Sequence, residues 1–181
     1  MKTAMVPLTK GFEDIEAITV IDVLRRGGVE VTTVSLTEES SVMSAHGVVV
    51  AADCLLLEVI DRNYDAIVLP GGPGTDGLLD SEPLIGRLRR QRREGGLVAA
   101  ICAAPTVLAR AGIVEEGVKM TCYPSCEPLL GRKSEGTPVV IDEKVITGQA
   151  PGSAMVFALA VLAELAGIEK ATEVASGMVL R

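Results

Sequence analysis

Cys102 is the residue of this chain best placed to act as a nucleophile, because its neighbours imply a strand that ends on it and a helix that starts behind it. In Leu97-Val98-Ala99-Ala100-Ile101-Cys102-Ala103-Ala104-Pro105, the run Val98 to Ile101 reads as a buried strand entered after Gly95-Gly96. Pro105 suits a first helical turn, and Thr106 to Ala111 continue the helix to a stop at Gly112. A thiol at such a helix mouth faces free N–H groups and the positive end of the dipole. That predicts a pKa lowered from about 8.5 to about 3.5 to 7.5. The same strand-turn-helix layout displays the serine of the hydrolase nucleophile elbow. Free cysteine is more commonly a small core hydrophobe, but position favours chemistry here, since open parallel α/β sheets carry their sites at the carboxyl ends of strands.

A carboxyl and two stretches of backbone are candidates to work with this thiol. Glu16 lies in Ile15-Glu16-Ala17-Ile18-Thr19-Val20-Ile21-Asp22-Val23-Leu24, a helix apolar around most of its circumference. Glu13 and Asp14 already complement the helix N-terminus. Glu16 is therefore left as a partly buried proton carrier with a raised pKa. Gly71 and Gly72, at the end of the Ala66–Leu69 strand, can offer N–H groups in a close turn, and with Ala103 they make a candidate oxyanion hole. Gly72-Pro73-Gly74-Thr75-Asp76-Gly77 matches GxGxxG, but no acidic residue follows near Leu97 to Cys102 to hold a ribose, so a dinucleotide site is not expected. His46, the chain's one histidine, stands in a Ser-Ala-His-Gly turn, and no Cys-His-Asp triad can be built downstream of Cys102. Cys122 and Cys126 have no histidine nearby, so no metal is expected.

The elements that must position these groups follow from the apolar runs. Thr3–Leu8 is a strand, Glu13–Arg26 a helix stopped by Gly27-Gly28, and Glu30–Leu36 a second strand, which together form a βαβ unit. Val48–Ala51 reads as a short strand and Asp53–Ile60 as a short helical connection. The run Arg87-Leu88-Arg89-Arg90-Gln91-Arg92-Arg93 reads as the solvated side of an amphipathic helix. Strands at Val139–Ile141 and Val145–Thr147 and a helix from Pro151 to Ala166 complete the pattern. Alternating strands and helices predict an α/β fold, a mostly parallel sheet with helices on both faces, in one domain over residues 1–181. A formal net charge of −7 argues against a nucleic-acid partner. No apolar run is long enough to span a bilayer. Four cysteines (54, 102, 122 and 126) without a CxxC pair or a recognisable secretory signal predict a reduced, cytoplasmic protein.

These residues resemble the DJ-1/PfpI superfamily, in its DJ-1/YajL-like rather than its protease-like branch. The resemblance rests on Lys10-Gly11-Phe12-Glu13-Asp14-Ile15-Glu16, Asp22-Val23-Leu24-Arg25-Arg26-Gly27-Gly28, Val68-Leu69-Pro70-Gly71-Gly72, Ala99-Ala100-Ile101-Cys102-Ala103-Ala104-Pro105 and Pro151-Gly152-Ser153, in the family's order. It implies a flavodoxin-like three-layer sandwich that forms a homodimer, with Cys102 as the oxidation-sensitive nucleophile and Glu16 hydrogen-bonded to it. Arg26 and His46 fall where the family has residues near the dimer interface and the cysteine pocket. Ala103 replaces the histidine of protease-like members, which disfavours peptidase activity. Tyr123 replaces the histidine that DJ-1 carries before the proline of this segment, and a phenol is a poor general base at neutral pH. The resemblance implies a cofactor-independent glyoxalase acting on methylglyoxal or glyoxal, with deglycase activity toward early glycation adducts. The alternative is a redox sensor or redox-regulated chaperone working through oxidation of Cys102.

Overall fold

The computed structural model describes residues 1–180. Thr3–Leu8 (β1) enters the core directly, and the helix Asp14–Arg26 (α1) returns the chain to Glu30–Ser35 (β2), which pairs parallel to β1 from Thr3↔Glu30 to Leu8↔Ser35. Cys54–Leu55 (β5) adds to the outer edge of β2, followed by the single turn Leu56–Val59 (α2). The chain then crosses to the other side of β1, where Ala66–Leu69 (β6) and Leu97–Ile101 (β7) lie parallel. Val145–Gly148 (β9) continues the parallel order, and Val139–Asp142 (β8) closes the edge antiparallel to it. The order is β5-β2-β1-β6-β7-β9-β8, and it reverses between β1 and β6. At that reversal the crossovers leave to opposite faces, which opens a crevice at the carboxyl ends of the strands.

Both faces are covered, as alternation of strands and helices requires. On one face α1 packs on Ala154–Ala166 (α7), with Val20, Val23, Leu24, Phe157, Val161 and Leu162 in the core. On the other lie Thr75–Leu79 (α3), Glu82–Arg93 (α4) and Pro105–Arg110 (α5), around Leu84, Ile85, Leu88, Val107 and Leu108. The three-layer α/β reading is therefore correct.

Several expectations need amendment. Val49–Ala51 (β4) is a strand, but it pairs antiparallel with Ser41–Met43 (β3) in a separate hairpin, while β5 takes the outer edge of β2. The Asp53–Ile60 connection opens as strand β5 before its helical turn, since Val34 and Ser35 offer it a parallel partner. Pro151–Ser153 is a 3-10 turn ahead of α7. The helices Glu127–Leu130 (α6) and Ile168–Gly177 (α8) were not legible, and Gly167, at φ +91°, separates α8 from α7. The Arg-rich helix is not simply a solvated face, because Arg87 and Gln91 are buried. Gln91 Nε2 donates to the carbonyls of Tyr64 (2.9 Å), Asp65 (3.3 Å) and Leu97 (3.3 Å), which pins α4 to the entries of β6 and β7. Gln91→Leu should leave these acceptors unmet and destabilise the fold by about 2 to 3 kcal/mol in urea titrations.

Candidate active site

The carboxyl ends of β1, β6 and β7 converge on Cys102. The thiol-bearing residue follows β7 directly and adopts φ +65°, a left-handed conformation that L-residues take only under constraint. Three contacts impose it. The Cys102 N–H donates to the Gly148 carbonyl at 2.9 Å, the Cys102 carbonyl accepts from Tyr123 N–H at 2.8 Å, and Ala104 N–H closes a turn onto Ile101 at 3.0 Å. Gly148 was missed by sequence reasoning, although its place at the end of a strand beside β7 is the signal that could have found it.

Gly71 and Gly72 are there because nothing larger fits. A Cβ on Gly71 would lie 2.8 Å from the Ile101 carbonyl and 2.9 Å from both Ala103 N and Cys102 Cβ. A Cβ on Gly72, at φ +96°, would lie 2.6 Å from Glu13 N. This close approach lets Glu13 N–H donate to the Gly71 carbonyl at 2.9 Å, and Gly74 N–H donate to the Gly11 carbonyl at 2.8 Å. The start of α1 is thereby stitched to the end of β6.

That stitch sets the roles of three acids. Glu13 caps α1, its Oε2 accepting from Glu16 N–H at 2.8 Å. Asp14 turns outward, accepting from Ser44 Oγ and meeting His46 Nδ1 at 2.7 Å, and these partners hold its carboxyl below the usual range despite burial. Glu16 turns inward and is fully buried, with Oε2 accepting from Gly71 N–H at 2.8 Å. The Gly71 N–H is thus spent on Glu16, which corrects its expected place in an oxyanion hole. The Gly72 and Ala103 N–H groups are the ones directed at the Cys102 sulfur.

Glu16 Oε1 is buried with no hydrogen-bond partner at ordinary geometry among the described residues, yet its carboxyl lies close enough to the Cys102 thiol for each to perturb the other. Burial pushes Glu16 up to about 7, against the opposing pull of the Gly71 N–H and the thiol. Burial, then the Glu16 charge, pushes Cys102 up to about 12, and the Gly72 and Ala103 N–H groups only partly offset this. Burial and the Glu16 charge therefore oppose the lowering expected at a helix mouth. Pro105–Arg110 is under two turns long and starts beyond Ala104, so its dipole is too weak and too distant to outweigh burial and a neighbouring carboxylate. Thiol and carboxyl are thus coupled, and each raises the cost of ionising the other.

Between the ordinary carboxyl value of 4.5 and about 7, the folded chain keeps a Glu16 proton that the unfolded chain has released. Stability should therefore fall as pH rises through that window, by up to about 3 kcal/mol from this group. Denaturation midpoints measured from pH 5 to 8 should show that slope in the wild type and a flatter one in Glu16→Gln.

The remaining candidates are dispersed. Tyr123 shares the site through its backbone, and its side chain is 43% exposed. His46 stands on the β3–β4 turn, largely in solvent, held by Asp14, whereas Arg26 lies at the far end of α1 and pairs with Asp22 at 2.7 Å. Arg26 is ten positions from Glu16, about 15 Å along a helix, and so does not line the Cys102 pocket of its own chain. Cys122 and Cys126 are buried in the opposite core layer, and Cys54 is half-buried on β5. Glu13, Asp14 and His46 have potential ligand atoms within 4.8 Å of one another, but Glu16 N–H, Ser44 and His46 itself already engage the two carboxylates.

Comparison with known proteins extends the same pattern along the chain. It is 42% identical to the protein dj-1beta of Drosophila melanogaster over 183 residues, covering 99% of this chain and 97% of that protein. It is 41% identical to the glutathione-independent glyoxalase DJR-1.2 of Caenorhabditis elegans, covering 87% of this chain and 85% of the other. It spans 42% of the length of the Arabidopsis thaliana DJ-1 homolog B. The crystal structure of Drosophila melanogaster DJ-1beta superposes with a TM-score of 0.95 at 41% identity, covering 99% of this chain and 98% of that one. An oxidized Toxoplasma gondii DJ-1 superposes with a TM-score of 0.93 at 36% identity, covering 99% and 98%. The DJ-1/PfpI family model matches residues 2–164, and the chain, with its thiol and buried carboxyl at the sheet's switch point, belongs to the DJ-1/PfpI family.

Proposed function

We propose that the protein is a cofactor-independent glyoxalase that converts methylglyoxal, or glyoxal, to the corresponding hydroxy acid. The observation that carries this reading is the pairing of a buried carboxyl that titrates near neutrality with the Cys102 thiol beneath two directed N–H groups. The C. elegans relative named as a glutathione-independent glyoxalase supports it. Ionised Glu16 takes the thiol proton as sulfur attacks the aldehyde carbon, which circumvents the raised thiol pKa. The Gly72 and Ala103 N–H groups hold the new oxyanion, and Glu16 returns the proton to it. Glu16 then removes the hydrogen from the former aldehyde carbon to give an enediolate, the hydroxyl proton of the hemithioacetal passes to the neighbouring oxygen, and Glu16 returns its proton to the neighbouring carbon. The resulting lactoyl thioester is hydrolysed by one water to lactate and free Cys102.

The deciding experiment incubates purified protein with methylglyoxal, without glutathione, and measures lactate. Lactate exceeding many equivalents of protein supports the reading, and none above buffer overturns it. The same hemithioacetal chemistry extends to early glycation adducts as a deglycase activity. Peptidase activity is not proposed, since Ala103 offers no imidazole.

A second reading, oxidation sensing or redox-regulated chaperone action through Cys102, draws on the same N–H groups. They and a protonated Glu16 would hydrogen-bond the oxygens of a sulfinate. Mild peroxide followed by mass spectrometry should then show a two-oxygen adduct on Cys102; an unmodified Cys102 would exclude it.

Assembly as a homodimer is part of the proposal. Ile15, Ile18, Met43, Val48 and Val49 expose apolar side chains, Met43 and Val49 are cross-strand partners, and Ile18 and Val50 line one cleft between α1 and β4. Light scattering should give twice the chain mass for the wild type and the chain mass for Ile18→Glu, whose exposed position spares the fold. Among the described residues no helix is long and apolar enough to cross a membrane, and four free cysteines fit a reducing, cytoplasmic setting.

A further inference from the structure

The segment 119–123 forms no helix or strand, yet its middle is as buried as one: Met120 is 1% exposed, and Thr121 and Cys122 are fully buried. Buried backbone without a ladder must find other partners for its N–H groups. Alternate residues do so here. Lys119 N–H donates to Asp142 Oδ2 at 2.7 Å, Thr121 N–H to Thr147 Oγ1 at 2.9 Å, and Tyr123 N–H to the Cys102 carbonyl at 2.8 Å. The carbonyls are held as well, Met120 accepting from Glu135 N–H at 2.9 Å and Tyr123 from Cys126 N–H at 2.8 Å.

Thr147 is a fully buried hydroxyl in β9, opposite Ala100 in the parallel register, and Gly148 follows it opposite Ile101. These two successive residues hold Cys102 from both sides. The Gly148 carbonyl takes the Cys102 N–H at 2.9 Å, whereas the Thr147 hydroxyl reaches the Cys102 carbonyl indirectly, through Thr121 and Tyr123. Cys102 keeps its φ of +65° against the preference of an L-residue, so both of its peptide units need an external hold.

We infer that Thr147 is a positioning residue for Cys102: its hydroxyl seats the 119–123 segment so that Tyr123 N–H grips the Cys102 carbonyl and keeps the sulfur under the Gly72 and Ala103 N–H groups. Its effect on turnover rests on the glyoxalase reading; its effect on the conformation of Cys102 does not. Without that oxygen the Thr121 N–H is buried and unmet, a cost the segment relieves by moving toward water and drawing Tyr123 with it. Valine keeps the branched shape and removes only the acceptor.

Amide hydrogen exchange reads this hold without any turnover. In Thr147→Val the Tyr123 and Cys102 amides should lose about 10-fold or more of their protection relative to the amides of β1, and Thr147→Ser, which keeps the hydroxyl, should restore it. Gln91→Leu, destabilising at the entries of β6 and β7, should lower protection generally without changing that ratio. In lactate assays Thr147→Val should lower kcat by about 10- to 100-fold with KM little changed, the pattern of misplaced reacting groups, and Thr147→Ser should recover it. Thr147→Ala, likewise without the hydroxyl, serves for the same comparison if the valine variant does not fold. Unchanged relative protection of Tyr123 and Cys102 would overturn the positioning role, and so would lost protection with undiminished kcat. Absence of lactate from the wild type would sink the glyoxalase reading instead, and the exchange ratio alone would then decide the role of Thr147.

Discussion

Cys102→Ser should lower lactate formation from methylglyoxal by at least about 1,000-fold, because the hydroxyl is a far weaker nucleophile and the same Glu16 must deprotonate it. Glu16→Gln should lose about 100- to 10,000-fold, the usual range for removing a positioned proton carrier. The two should not be additive, since thiol and carboxyl act on one proton. Their pH profiles separate the roles. In the wild type Glu16 must be ionised to accept the thiol proton, so kcat/KM should rise with pH through about 7 and then level. In Glu16→Gln the residual rate should lack that step and climb only toward the thiol's own ionisation, which burial keeps high. Stability runs the opposite way, falling over the range in which activity rises. A profile already flat at pH 5 would mean a preformed thiolate and sink the proton-transfer scheme, while leaving Cys102 as nucleophile.

The second large effect concerns a residue with no side chain. Gly72→Ala places a Cβ 2.6 Å from Glu13 N and 2.8 Å from the Gly11 carbonyl, both rigid backbone, at φ +96°. Neither neighbour can yield without moving the start of α1, which carries Glu16. The expected cost is about 2 to 4 kcal/mol of stability. A displacement of about 1 Å between carboxyl and sulfur should remove about 100-fold of the activity in whatever folds. Gly28→Ala provides the control: its φ is +78°, but a Cβ there meets nothing within 4 Å among the described residues. It should cost about 1 to 2 kcal/mol through backbone conformation alone and leave kcat/KM unchanged. Urea titration with lactate assays on the same preparations distinguishes the two. Equal behaviour of the two variants would show that the close approach at Gly72 does not govern the site.

Local order made much of this legible. The Cys102 strand and its elbow could be read from Val98 to Pro105, because an apolar run followed by Ala-Ala-Pro leaves few other conformations. Glu16 could be singled out because one carboxyl interrupts an apolar helix surface. The Arg87-to-Arg93 run misled, since composition alone suggests solvent for arginine, whereas α4 lies against the connection from Arg62 to Asp65 and turns Arg87 inward. The β3–β4 hairpin and β5 were obscure because each is stabilised by a partner distant in sequence.

From the sequence alone came the α/β alternation and the pairing of a candidate thiol with a candidate carboxyl, since periodicity and turn residues act over a few positions. Tertiary structure decided what those groups can do. It assigned the Gly71 N–H to Glu16, aimed Gly72 and Ala103 at the sulfur, and placed Arg26 away from the Cys102 pocket of its own chain. It also set burial and a facing charge against the expected lowering of the Cys102 pKa, because both arise only when β1, β6 and β7 are side by side. Desolvation and Coulomb energy depend on distance in space, and no local pattern in the chain carries that information.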